Sequence, residues 1–130
     1  MYQLVQSGFE IGATYLWKFR IGYSTATGTD ELTGEQGPPT TAPELVVSST
    51  DSQQNVVTYS TQRICANAQG IENCTVDEDD HATIHFRDVA IQFDASQESL
   101  YMAIDIIFRQ GSAGFDTYLD DVSITKVKVV

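Results

Sequence analysis

Thr14-Tyr15-Leu16-Trp17-Lys18-Phe19-Arg20-Ile21-Gly22-Tyr23 places a large apolar side chain at every odd position. A period of two is the signature of an extended strand, so Tyr15, Trp17, Phe19, Ile21 and Tyr23 are expected on one face, with Lys18 and Arg20 on the other. Five large apolar residues on one strand face read as core. A row of sugar-stacking rings is the alternative use of Tyr15, Trp17, Phe19 and Tyr23.

Outward from this strand the pattern repeats in shorter form. Residues 24–43 hold Gly28, Gly34, Gly37, Pro38, Pro39 and Pro43 without apolar periodicity, and read as a long loop. Leu45-Val46-Val47-Ser48, Val56-Val57-Thr58-Tyr59, 61–66, Thr83-Ile84-His85-Phe86 and Val89-Ala90-Ile91-Gln92-Phe93 are short β-favouring runs between turn-rich segments. Leu100 to Phe108 carries Asp105 as its only charge and is expected as a strand buried on both faces. Residues 117–125 and 126–130 close the chain with more β-type sequence. With no persuasive amphipathic helix and no repeat, the expectation is an all-β antiparallel sandwich or barrel.

At 130 residues, 1–130 is expected to be a single domain, and one able to bury a real core. No apolar run reaches the ~20 residues of a membrane-crossing helix, so no membrane insertion is expected. The opening Met1-Tyr2-Gln3-Leu4-Val5-Gln6-Ser7 lacks the basic and apolar regions of a signal peptide. That fits a mature or excised domain as well as a cytosolic chain. The 18 acidic residues against 7 basic ones give a net charge of −11. Such a field repels phosphate backbones, so no nucleic-acid partner is expected.

Cys65 and Cys74 lie nine positions apart in a polar stretch, which suits neither a CxxC redox motif nor a four-ligand zinc site, and suits a local disulfide. Asn73-Cys74-Thr75 meets the N-glycosylation pattern at Asn73. Together the disulfide and the sequon point to an extracellular setting, secreted or at the cell surface. Asp77-Glu78-Asp79-Asp80 lacks the EF-hand arrangement of ligands and reads as a solvated loop. His81 and His85 would stand ~13 Å apart on a strand, too far to grip one zinc ion.

No Gly-x-Ser-x-Gly elbow, phosphate loop, dinucleotide fingerprint or HExxH motif occurs, and neither histidine sits near a plausible nucleophile. The chain is therefore expected not to be an enzyme. In strand geometry Asp120 shares a face with Val122 and Ile124, and Asp121 shares one with Leu119. One carboxylate of the pair is then expected to turn toward an apolar layer and to need donors or a metal there.

The segments Val89-Ala90-Ile91-Gln92-Phe93-Asp94-Ala95-Ser96, Leu100-Tyr101-Met102-Ala103-Ile104 and Tyr118-Leu119-Asp120-Asp121-Val122-Ser123-Ile124 resemble the carboxy-terminal part of galactose-binding-like jelly-roll modules. Many carbohydrate-binding modules belong to that group, and MAM-type adhesion domains end in a similar Asp-Asp motif. Gly8-Phe9-Glu10-Ile11-Gly12 resembles the opening of such modules. In a second alignment Gly12-Ala13-Thr14-Tyr15-Leu16-Trp17-Lys18-Phe19 takes the place of a later strand, and the usual first strands are absent. The resemblance implies a jelly-roll β-sandwich and a structural Ca²⁺ near Asp120, with Glu10 as a further ligand. It also implies a non-catalytic, lectin-like module whose partner is a glycan. The alternative it leaves is a structural or adhesive module, or a filament subunit, completed by strand exchange with a neighbouring protein subunit and cut from a larger extracellular protein.

Overall fold

The structure is a computed structural model that describes residues 2–4, 10–51, 53–67, 69–95 and 101–128, with backbone alone at 2–4, 101 and 128. Gly8 and Phe9 of the opening motif, Ser96, Leu100 and residues 129–130 lie outside the described residues. The strands are β1 (Tyr2–Leu4), β2 (Thr14–Thr25), β3 (Gly28–Thr29), β4 (Gln36–Gly37), β5 (Glu44–Thr50), β6 (Val56–Arg63), β7 (His85–Asp94), β8 (Tyr101–Ile107) and β9 (Phe115–Lys128). No helix occurs among the described residues, so none is present that is long and apolar enough to cross a membrane.

One sheet has the order β1-β8-β5-β6, a second has β7-β2-β9, and β3 and β4 form a small ribbon inside the long loop. Every pairing is antiparallel. Apart from the β5–β6 hairpin and the ribbon, each step along the strands passes from one sheet to the other. The fold is all-β, as the alternating sequence predicts.

The two sheets share one buried apolar cluster. Trp17 and Ile21 of β2 enter it from one side, and Leu45, Val47 and Met102 of β5 and β8 from the other, each at most 1% exposed. Burying each such side chain contributes roughly 1.5–3 kcal/mol. Tyr15, Phe19 and Tyr23 are buried beside Trp17, so the alternating aromatics of β2 form core and not a sugar platform. Tyr59 of β6 stacks on Phe93 of β7 with centroids 4.4 Å apart, closing one side of the two-layer arrangement.

The register first changes the reading of β7. His85-Phe86 and the run 89–93 lie on the single strand β7, which pairs without interruption from Asp94 to His85 along β2, while Thr83 and Ile84 precede it. Arg87 then falls opposite the core residue Ile21 and turns inward. Its Nη2 donates to the Ile64 carbonyl at 3.3 Å, its Nε is buried without a partner, and desolvation lowers its pKa.

The second change is in β9. Lys18 pairs with Ser123 and Arg20 with Asp120, so Asp121 and Val122 together oppose the single residue Phe19. This is a β-bulge, and Asp121 occupies it with φ 54°. The expectation that one carboxylate of Asp120-Asp121 faces an apolar layer assumed unbroken alternation. The bulge removes that need, and both carboxylates are exposed.

Candidate functional site

With the odd residues of β2 in the core, its even residues form the floor of the opposite, outward face of the β7-β2-β9 sheet. Register sets this face out in rows that run across the strands. Lys18 lies between Ala90 and Ser123, Arg20 between Asp88 and Asp120, and Gly22 between Phe86 and Tyr118.

The Gly22 row is the apolar one. Phe86 is 54% exposed and Tyr118 39%, and neither belongs to the buried cluster. A Cβ on Gly22 would lie 2.6 Å from Phe86 Cε1 and 2.8 Å from Cδ1, with Ile84 Cγ2 at 3.2 Å. The missing side chain is therefore what lets the Phe86 ring lean across β2. Such cover from a neighbouring aromatic also shields the strand backbone that a glycine leaves bare.

The Arg20 row is polar and charged. Arg20 Nε donates to Asp88 Oδ1 at 3.1 Å, and the guanidinium carbon lies 6.0 Å from the Phe86 ring centroid. That hydrogen bond raises the Arg20 pKa above its ordinary value, and the charges of Asp88, Asp121 and Asp120 add to the rise. The result is two exposed rings beside an ordered set of donors and acceptors. That combination of apolar surface and a few convergent polar groups is what small polar ligands with one apolar face require.

Beyond Gly22 the face ends at an acidic segment fastened to the end of β2. The Thr75 N–H donates to Tyr23 Oη at 2.9 Å, and the Asp77 N–H to Thr25 Oγ1 at 2.6 Å. His85 Nε2 lies 3.0 Å from Asp77 Oδ2, and His81 Nδ1 lies 3.3 Å from Asp116 Oδ2. The two histidines thus engage different carboxylates, and the loop 77–80 is anchored at Asp77 and at the Glu78 carbonyl, which accepts the Thr27 N–H at 2.7 Å, while residues 78–80 are exposed.

Cys65 and Cys74 form a disulfide, with Cα atoms 5.3 Å apart. Glu72 comes within 4.8 Å of both sulfurs, but the disulfide leaves no thiolate for a metal. Asn73 is exposed, and its N–H donates to the Cys65 carbonyl at 3.3 Å.

The calcium pair does not assemble. Glu10 is ion-paired with Lys126, which aligns with Tyr15 at one end of the β2–β9 ladder. Asp120 aligns with Arg20, five residues further along β2 and hence roughly 17 Å away. Asp120 Oδ1 instead accepts the Asp121 N–H at 2.8 Å and takes part in the Arg20 row.

A separate groove lies between the long loop and the turn after β8, lined by Asp30, Leu32, Phe108 and Gly111 among others. Asp30 there serves the turn itself, accepting the N–H groups of Leu32, Thr33 and Gly111.

No family model, curated protein or solved structure matches this chain. In the sequence Tyr118 belongs to the closing Asp-Asp segment and Phe86 to a short β-favouring run, and neither stands out as exposed. The signal available was Gly22 at an even, outward position of the strongest strand. Finding what covers it required the register of β7 and β9.

Proposed function

We propose that this chain is a non-catalytic, extracellular carbohydrate-binding module of jelly-roll type, and that it engages sugar on the outward face of the β7-β2-β9 sheet. The observation that carries the reading is the exposed pair Phe86 and Tyr118 on either side of Gly22. The apolar C–H face of a pyranose stacks on aromatic rings, and its hydroxyls match the alternating donors and acceptors of Arg20, Asp88 and Asp120. The crossing of successive strands between two sheets supports the jelly-roll assignment. The disulfide and the exposed Asn73 sequon support an oxidising, secretory setting.

A glycan array tests this directly. Retention of one or more glycans by the wild type, lost in Phe86→Ala with the fold intact, is the expected result. An array silent at high protein concentration rejects the reading.

The adhesive alternative needs an edge that accepts a foreign strand. The outer edge of β9 pairs with no strand among the described residues. It carries the Asp121 bulge and the charges of Asp116, Asp120 and Lys126, features that keep an edge from pairing. β1, β6 and β7 are also outer strands of their sheets, so the exposed Phe86–Tyr118 pair, and not the edges, is what favours the sugar-binding reading.

A further inference from the structure

In Asn73-Cys74-Thr75 the two outer residues are exposed and Cys74 is half-buried. An Asn-x-Thr tripeptide is an acceptor for N-linked glycan when the residue between is not proline. Here that middle residue is one half of the disulfide, so two covalent modifications meet in three residues.

The folded chain holds the tripeptide at every position. The Asn73 N–H donates to the Cys65 carbonyl at 3.3 Å, and the Thr75 N–H donates to Tyr23 Oη at 2.9 Å. Cys74 is bonded to Cys65, which is 6% exposed and belongs to the core cluster. Just before them Glu72 bridges to Ala66, and its Oε1 accepts the Ala42 N–H at 3.2 Å. Exposure is enough for a glycan, once attached, to project into solvent. Attachment asks for more. The transferase must draw the tripeptide backbone into its own cleft, together with the Asn73 amide and the Thr75 hydroxyl. A segment bonded to the core through its middle residue does not lift away to do so.

These restraints form in sequence. The disulfide joins cysteines nine positions apart and closes locally, whereas the Tyr23 contact waits for the segment to dock on β2. Chain synthesis proceeds at roughly 5–20 residues per second, and disulfide formation takes seconds or longer. A new chain therefore presents the tripeptide with Cys74 still a thiol.

We infer that Asn73 is an N-glycan acceptor that is open only until the disulfide fixes Cys74. The donor is an oligosaccharide carried on a lipid diphosphate. A bond forms between Asn73 Nδ2 and the anomeric carbon, the bond from that carbon to the diphosphate oxygen breaks, and the lipid diphosphate leaves. One Nδ2 proton passes to a base of the transferase. The inference rests on the secretory setting proposed above and not on sugar binding.

The test has two arms. In the first, wild type, Cys65→Ser and Thr75→Ala are made in a eukaryotic secretory host, and glycan at Asn73 is read by mass on secreted and cell-retained chains alike. Reading both pools keeps a variant that fails to fold informative. Cys65→Ser leaves the tripeptide intact and should carry glycan on a larger fraction of chains than wild type. Thr75→Ala should lose it altogether. In the second arm, wild type made without glycan is given to microsomal transferase and a lipid-linked donor. The oxidised protein should take up no glycan, and the same protein held reduced should gain it.

Glycan absent from every chain, Cys65→Ser included, overturns the acceptor. Oxidised protein modified as readily as reduced protein overturns the closing. Either result leaves the sugar-binding reading to the array, and a silent array leaves this inference standing.

Discussion

Leu119 and Ile124 lie an odd number of positions apart on β9, yet both turn toward the core, opposite Ile21 and Trp17 of β2. The extra residue in the bulge at Asp121 reverses the parity between them. Without it, one of the two would face water.

The bulge rests on a non-glycine residue with φ 54°. Aspartate tolerates this region better than most residues, and glycine does so without penalty. Asp121→Gly should leave stability unchanged or raise it slightly. Asp121→Val should lower it by about 1–3 kcal/mol, since a β-branched residue is poorly suited to that conformation. Urea unfolding of the two variants checks both signs.

Gly22→Ala sets a small gain in strand preference against displacement of the Phe86 ring. The obstructing atoms belong to an exposed side chain that can swing away, so stability should change by under ~1 kcal/mol. On the proposed function, glycan binding should fall, because the ring loses its position over β2. A melting curve paired with the glycan array separates the two effects.

Arg87 is an inward-facing cation whose polar contact in this structure is the Ile64 carbonyl. Its stem packs between the sheets while its head sits partly desolvated. Arg87→Met keeps the packing and removes the charge, and should be neutral or stabilising by up to ~2 kcal/mol. Arg87→Ala removes the packing as well and should be the less stable of the two. Thermal denaturation of both variants decides.

Asp30 and Asp51 titrate below the ordinary value of 3.8, Asp30 through hydrogen bonds led by that from Leu32, and Asp51 through those led by that from Asn55. A depressed folded-state pKa contributes stability that is present above the unfolded value and lost as pH falls through the folded one. Melting temperature should therefore drop on acidification below about pH 4. Asp30→Asn should flatten part of that drop, as a pH series of melts from 2 to 6 would show.

Reduction of the Cys65–Cys74 disulfide, or its replacement by serines, should cost roughly 2–3 kcal/mol for a loop this short. Denaturant unfolding with and without reductant measures it.

The legible parts of the sequence were those in which one strand face is wholly apolar. β2 stands out because each odd residue from Tyr15 to Tyr23 is large and buried. β7 read as two runs because Arg87 and Asp88 interrupt the apolar pattern, although the ladder to β2 continues through both. The Asp120-Asp121 motif was visible, but its orientation was not. A bulge depends on counting residues against a partner strand, and local alternation does not contain that count. The same limit hid the exposed ring pair, since Phe86 and Tyr118 are 32 positions apart in sequence and come to either side of Gly22 only through pairing.

β2 is at once wall to the interior and ground for the exposed surface, and this couples two properties that proteins often keep apart. A one-residue slip in its docking would drive Arg20 and Lys18 inward and bring Trp17 out, spoiling the interior and the outer contact surface in the same event. Selection on either property therefore guards the other. The freedom to change what the surface touches resides in the flanking strands, whose outward side chains can be exchanged without disturbing the oily layer beneath.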